Sequence, residues 1–281
     1  MAGASMKDIK LRIRSVESTK QITSAMQLVA GSKLRRARQR MEDTRPYMTA
    51  AREVIADIAA HKDVISPFFR PQESAAKCVV VIAGDRGLAG HYNAAVFNLA
   101  DELIGPDTQV LPIGKKAVDR YTRRGAKLIS GEYLKAEHVS SYDCRQMAER
   151  LIEGFLRGDY GEVTLIGTTF ESAMTQTAFT TSLLPVTPAE FERGQGPRTQ
   201  LLMEPGPTAL LKAVMPDYLA GVLYGAVCDA VACEMAARRN AMDSATKNAE
   251  QMISDLSLSY NRARQGSITQ EITEIVAGAE Q

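Results

Sequence analysis

Lys7-Asp-Ile-Lys-Leu-Arg-Ile-Arg-Ser-Val-Glu-Ser-Thr-Lys-Gln-Ile-Thr-Ser-Ala-Met-Gln-Leu-Val-Ala30 places small or apolar side chains at Ile9, Ile13, Val16, Thr19, Ile22, Met26 and Val29. Steps of three and four put them on one face of a helix. The stripe continues through Ala30, Leu34, Ala37, Met41, Thr44, Met48, Ala51, Ile55 and Ile58, and from Lys7 to Arg45 there is no proline and one glycine, Gly31. A single helix over residues 7–60 is expected, about 80 Å long at ~1.5 Å per residue, more than a compact domain of this size can hold. Pro46 is expected to interrupt or kink it, because proline lacks the amide hydrogen and crowds the preceding turn.

Working outward, a second helical segment is placed at 209–281. Its long helix is expected to start afresh at Pro216–Asp217, where an acidic side chain meets the positive end of the helix dipole. Only Gly221, Gly225 and Gly266 weaken it, and its stripe, Met235, Met242, Ala245, Ala249, Met252, Leu256 and Ala263, approximates a heptad. Alanine and methionine in place of leucine imply a slender, closely approaching helix pair that needs something around it. Between the two, residues 77–187 alternate: strand at Lys77–Ala83, helix at Tyr92–Ile104, strand at Gln109–Ile113, helix at Lys115–Arg123 and strand at Ala126–Ser130. A helix at Tyr142–Leu156, a strand at Glu162–Thr168 and a last strand at Ala178–Val186 follow. Such alternation implies a mostly parallel sheet. Residues 188–208, rich in Gly, Pro and charge, are expected to be a linker. Two rods leaving one side of a compact domain must run antiparallel to bury their stripes, so the chain reads as a globular head with a stalk.

Hydrophobic residues at 45% and charged residues at 24% match an ordinary folded protein. The net charge of +1 gives no global field for nucleic acid or lipid. No uninterrupted run of eighteen apolar residues occurs, and the best, Tyr218–Cys228, is stopped by Asp229. Met1 to Met6 leads into Lys7-Asp8-Ile9-Lys10 without a signal-like stretch, so the chain reads as cytoplasmic and unprocessed. Cys78, Cys144, Cys228 and Cys233 fit neither a metal pair nor a disulfide framework and read as buried thiols.

Candidate chemistry is sparse. Gly84-Asp85-Arg86-Gly87-Leu88-Ala89-Gly90 turns from a strand into a helix, the place of a phosphate cradle. Its glycines nevertheless recur every third residue with no lysine, unlike either nucleotide-binding loop, so a tight strand-to-helix turn is the favoured reading. His61, His91 and His138 are isolated, and no GxSxG elbow exists. No catalytic, cofactor or metal residues are therefore assigned. Charge is uneven: residues 7–40 hold ten basic residues against Asp8 and Glu17, whereas 267–281 hold Glu271, Glu274 and Glu280 with no base. A charge run is usually a solvated helix face, but Lys33 to Arg40 is basic on more than one face, which suits an acidic surrounding surface, nucleic acid or anionic lipid.

At both ends the residues are more specific. Lys20-Gln-Ile-Thr-Ser-Ala-Met-Gln-Leu-Val-Ala-Gly-Ser-Lys33 resembles the N-terminal helix of F-type ATP synthase gamma subunits of the bacterial type. Tyr260-Asn-Arg-Ala-Arg-Gln-Gly-Ser-Ile-Thr-Gln-Glu-Ile-Thr-Glu-Ile-Val-Ala-Gly-Ala279 is similar to that family's C-terminal signature, and Asp85-Arg-Gly-Leu-Ala-Gly-His-Tyr-Asn93 to its central loop. The sequence departs from the family at Ser24, commonly basic, at Ala89, often cysteine, and at Glu280, rarely acidic. No chloroplast-type cysteine insert is visible, so thiol switching is not implied.

The resemblance implies an antiparallel coiled coil of the terminal helices plus a central Rossmann-like α/β domain. The coil would turn inside a hexamer of alternating alpha and beta subunits, with the α/β domain at the foot beside epsilon and the c-ring. It implies no cofactor, no nucleic acid, contact with the membrane only through partner subunits, and a place at the cytoplasmic face of the plasma membrane. By the same resemblance Arg264, Gln265, Thr269 and Met26 are contacts to the catalytic subunits, and Arg45, Tyr47 and Glu204 face the ring and epsilon. Two other readings compete: a helical adaptor binding nucleic acid or anionic membrane through Lys33–Arg40, and an enzyme binding a nucleotide at Gly84–Gly90.

Overall fold

The structure, a computed structural model, describes residues 6–60, 64, 66–70, 72–74, 76–187, 203–204 and 206–279. Most of the linker expected at 188–208 lies outside the described residues, as do His61 and Glu280. Ten principal elements follow one another: α1 (Met6–Ala59), β1 (Lys77–Ile82), α2 (Tyr92–Leu103), β2 (Gln109–Ile113), α3 (Lys115–Arg123), β3 (Lys127–Leu128), α4 (Ser141–Arg157), β4 (Glu162–Phe170), β5 (Gln176–Leu184) and α5 (Pro207–Ala279). They form two compact units, one from residues 32–237 and one from residues 1–31 and 238–281.

In the unit of residues 32–237 the sheet order is β3-β2-β1-β4-β5, parallel throughout except for β5, which runs antiparallel to β4. Strand alternation divides the core. Cys78, Val80 and Ile82 pack with α4 and α5 and with Leu34, Ala37, Ile55 and Ile58 of α1, while Val79, Val81 and Ala83 pack with Val96, Ala100, Ala117 and Tyr121 of α2 and α3. Both faces are thus covered, as a parallel sheet requires. β3 is shorter than the expected 126–130: it pairs with β2 only at Gln109↔Lys127 and Val110↔Leu128, on the sheet edge.

The expected interruption at Pro46 and the fresh start at Pro216 need correction. α1 continues through Pro46 to Ala59, and α5 begins at Pro207 and runs through Pro216 rather than starting there. Fully buried Leu211, Met215 and Leu219 bracket Pro216, and Ile55 and Ile58 hold α1 beyond Pro46. Tertiary burial of this kind outweighs the loss of one helical hydrogen bond. Pro207 itself suits a first helical position, where its amide hydrogen would have no partner anyway. α5 contains a window apolar enough to cross a bilayer, mean hydropathy 1.5, but 78% of that window is buried inside the protein, so it is accounted for as a core helix.

In the other unit α1 and α5 pair antiparallel. Lys20 bonds Glu250 at 2.9 Å, the Thr23 and Thr246 hydroxyls meet at 2.7 Å, and Gln27 Nε2 donates to Asp243 Oδ1 at 2.9 Å, so numbers rise on one helix as they fall on the other. The seam follows the expected stripe at Ile9 and Ala30, both buried, and departs from it between them. Thr23 is buried, whereas Thr19, Ile22 and Val29 face out, the last two 57% exposed. On α5, Met242 and Ala249 are buried as expected, but Met252 is exposed and Ile253 takes its place. Small and hydrogen-bonding side chains allow the backbones to approach where larger apolar ones would hold them apart.

Candidate functional site

The glycine-rich turn after β1 has a partner within the chain. Buried Glu234 of α5 accepts hydrogen bonds from the backbone N–H groups of Asp85 and Arg86, each at 3.2 Å. Gly84 is required beside it, since a Cβ there would lie 2.8 Å from Glu234 Cδ and 3.1 Å from Asn93 Oδ1. Asn93 in turn accepts from Gly84 N at 2.8 Å and donates to Arg86 O at 3.4 Å. In an open sheet of this order ligands sit outside the C-terminal ends of the strands where the order reverses, here between β1 and β4. That crevice is filled by α5: the Tyr92 hydroxyl donates to Ala230 O at 3.1 Å and meets Thr168 at 3.4 Å, and Cys233 packs on Ala89 and Tyr92. The amides a phosphate would use are directed at a carboxylate of the protein itself, which disfavours nucleotide binding on geometry as well as on glycine spacing.

Asp85 fastens the next layer. Its Oδ1 accepts from Ala136 N at 2.8 Å and from Lys115 N at 3.4 Å, and its Oδ2 from Glu137 N at 3.4 Å. Glu137 accepts from Lys33 Nζ at 2.6 Å, and its carbonyl from Arg40 at 3.1 Å. Burial acts to raise the Glu137 carboxyl, but the Lys33 hydrogen bond and the charges of Lys33, His138 and Arg40 outweigh it and hold the group below the usual glutamate value. Arg38 spans Glu42 and the Phe170 ring. Three of the cations in the basic run are therefore engaged within the unit, which weakens the adaptor reading.

Arg264, Gln265 and Thr269 lie together on exposed positions of α5, with Thr269 Oγ1 donating to Gln265 O at 2.9 Å. Exposed Ile268 and Ile272 continue the same surface. Met26 is half-buried on α1. Arg45 and Tyr47 are exposed in the other unit: the Tyr47 hydroxyl donates to Asp217 O at 3.2 Å, and its ring covers Gly221. Glu204 is exposed, and among the described residues no hydrogen bond or ion pair joins it to Arg45 or Tyr47. All four cysteines are free and buried, and burial pushes the Cys144 and Cys233 thiols up to about 12. Among the described residues no cluster of ligating side chains suits a metal ion.

A profile of the family described as ATP synthase matches residues 5–281. An ATP synthase gamma chain of Ruminococcus albus is 45% identical over 278 residues, covering 97% of this chain and 96% of that one. The chain belongs to the ATP synthase gamma family. The gamma chain of Halothermothrix orenii is 40% identical over 283 residues, with 98% of each chain covered. The fold matches a chain in the OSCP/F1/c-ring structure of Euglena gracilis mitochondrial ATP synthase in rotational state 3, with TM-score 0.67 at 20% identity, covering 98% of this chain and 93% of that one.

Two features of this gamma-family chain escape sequence reading. One is Glu234, the single acid in Ala230–Ala237, an otherwise apolar stretch whose lone carboxylate is the signal that a buried partner exists. The other is Asp229, which lines a groove of about 500 Å³ with Met48, Arg52, Phe179, Tyr218 and Val222. Burial raises its carboxyl to about 6, the Arg45 charge pulling the other way.

Proposed function

We propose that this gamma-family chain is the central shaft of an F-type ATP synthase, carrying torque between a membrane-embedded c-ring and a hexamer of alpha and beta subunits. The observation that carries the reading is the inverted character of the paired helices. Their seam carries small and polar groups, at Thr23, Thr246, Gln27, Asp243 and Ala30, beside buried Ile9 and Met242, while Leu11, Ile22, Leu28, Val29, Met252, Leu258, Ile268, Ile272 and Ile275 are exposed. Apolar surface on this scale marks a site that another protein covers. A collar of subunits around the pair accounts for it, and Arg264, Gln265, Thr269 and Met26 are the contacts we assign to the catalytic subunits. A guanidinium and neutral hydrogen-bonding groups make directional links to carboxylates there.

On this reading the chain has no catalytic residues of its own. The paired helices present different faces to three equivalent sites, so each rotational step changes which site prefers product. Arg45, Tyr47 and Glu204 are assigned to the side facing epsilon and the ring, and the complex places the chain at the cytoplasmic face of the plasma membrane, held there by its partners. The test is co-expression with alpha and beta: one copy of the chain should co-purify with three of each. In the full complex, Arg264→Leu should lower proton pumping per ATP hydrolysed while leaving folding intact. Failure to enter the hexamer, or unchanged coupling in that variant, would overturn the assignment.

A further inference from the structure

Resting on the shaft reading, we infer that Glu234, Asp85 and Glu137 form a rigid joint that makes the α1 and α5 segments of the 32–237 unit turn with its sheet as one body. The joint is a continuous hydrogen-bonded path. It runs from α5 through Glu234 to the amides of Asp85 and Arg86, from the Asp85 carboxylate to the amides of Ala136 and Glu137, and from Glu137 to Lys33 and Arg40 of α1. Tyr92 adds a second attachment to α5 at Ala230, one turn before Glu234. On α1 the two attachments, Lys33 and Arg40, are about two turns apart, so they oppose both sliding and rotation of that helix about its axis.

Apolar packing alone would not suffice for this task. Burial against the sheet is non-directional and holds a helix down without fixing its angle. Hydrogen bonds to charged groups are short and weaken steeply with misalignment, so they fix the angle. Their placement is also apt. Lys33 and Glu234 each lie within about one helical turn, along their own helices, of the ends of the 32–237 unit, and torque carried along either helix must pass them. The three acids are positioning residues; none touches a substrate.

The test uses the assembled complex of alpha, beta, gamma and epsilon with Lys33→Gln, Glu137→Gln, the double variant, and Glu234→Gln. With the hexamer immobilised and the motor stalled, angular fluctuation of a probe attached to the sheet unit reads torsional stiffness. The variants should assemble and hydrolyse ATP, yet angular variance should rise roughly twofold. Lys33→Gln and Glu137→Gln should each produce nearly the whole effect, the double variant adding little, as expected for partners in one network. Variance equal to wild type in the assembled Lys33 and Glu137 variants would overturn the joint. If burial of Glu234 makes its variant too labile to assemble, the decision rests on that partly exposed pair. A wild-type chain that fails to assemble or rotate would instead overturn the shaft reading, so the two failures are distinguishable.

Discussion

Replacing Asp229 by Asn should stabilise the protein at neutral pH and do nothing at acid pH. Asp229 faces the groove between α1, α5 and β5, and among the described residues none hydrogen-bonds or ion-pairs its carboxylate. Burial dominates over the opposing Arg45 charge and raises the group from 3.8 to about 6. Below pH ~4 the carboxyl is protonated in folded and unfolded chains alike, so it makes no difference. Between pH ~4 and ~6 the unfolded chain releases the proton while the folded chain keeps it, and stability falls as pH rises; above ~6 the penalty is complete. At ~1.36 kcal/mol per unit the shift has an upper limit of about 3 kcal/mol, and solvent reaching the open groove reduces this to about 1 kcal/mol. Asn has the same shape without the charge, so the variant should gain that amount at pH ~7.5 and almost nothing at pH ~4. Urea unfolding at both pH values measures the difference from the midpoint at constant slope. A variant less stable than wild type at the higher pH, or with the same advantage at both, would refute the burial argument.

Two further outcomes follow from the seam and from a close approach in the core. Ala30→Leu, at a position 1% exposed, should overpack the helix pair and cost about 1–3 kcal/mol in thermal unfolding. Its neighbour Val29→Thr, on an exposed position, should stay within ~0.5 kcal/mol in the isolated chain yet weaken assembly with alpha and beta; the reverse pattern would put Val29 rather than Ala30 in the seam. Gly154→Ala in α4 should destabilise despite alanine's better helix propensity, because the new Cβ would collide with the Tyr160 ring and its hydroxyl, which donates to Leu151 O at 3.0 Å. The clash should outweigh the ~1 kcal/mol propensity gain, and a raised denaturation midpoint would contradict this.

Much of the fold is legible in the sequence. The spans of β1, β2, α2 and α3 agree with the expected ones to within a residue, because each is a short apolar or amphipathic segment bounded by Gly, Pro or charge. The buried cysteines were legible too, from their spacing and surroundings. The site was less so. The family resemblance singled out Arg264, Gln265 and Thr269, but the sequence offered no link between Gly84-Asp85-Arg86 and Glu234, groups about 150 residues apart whose meeting depends on how α5 lies on the sheet.

Local repetition, by itself, determined that this chain has two long helices around an alternating α/β segment, because the periods of helix and strand are properties of neighbouring residues. Tertiary structure alone decided which of two adjacent positions faces inward: Thr23 rather than Ile22, and, of the two stripe positions Val29 and Ala30, only Ala30. Adjacent positions on a helix differ by about 100° of rotation, and only the partner's shape and hydrogen-bonding groups select between them. The same holds for Pro46 and Pro216, where long-range burial kept helical a chain that local rules would have broken.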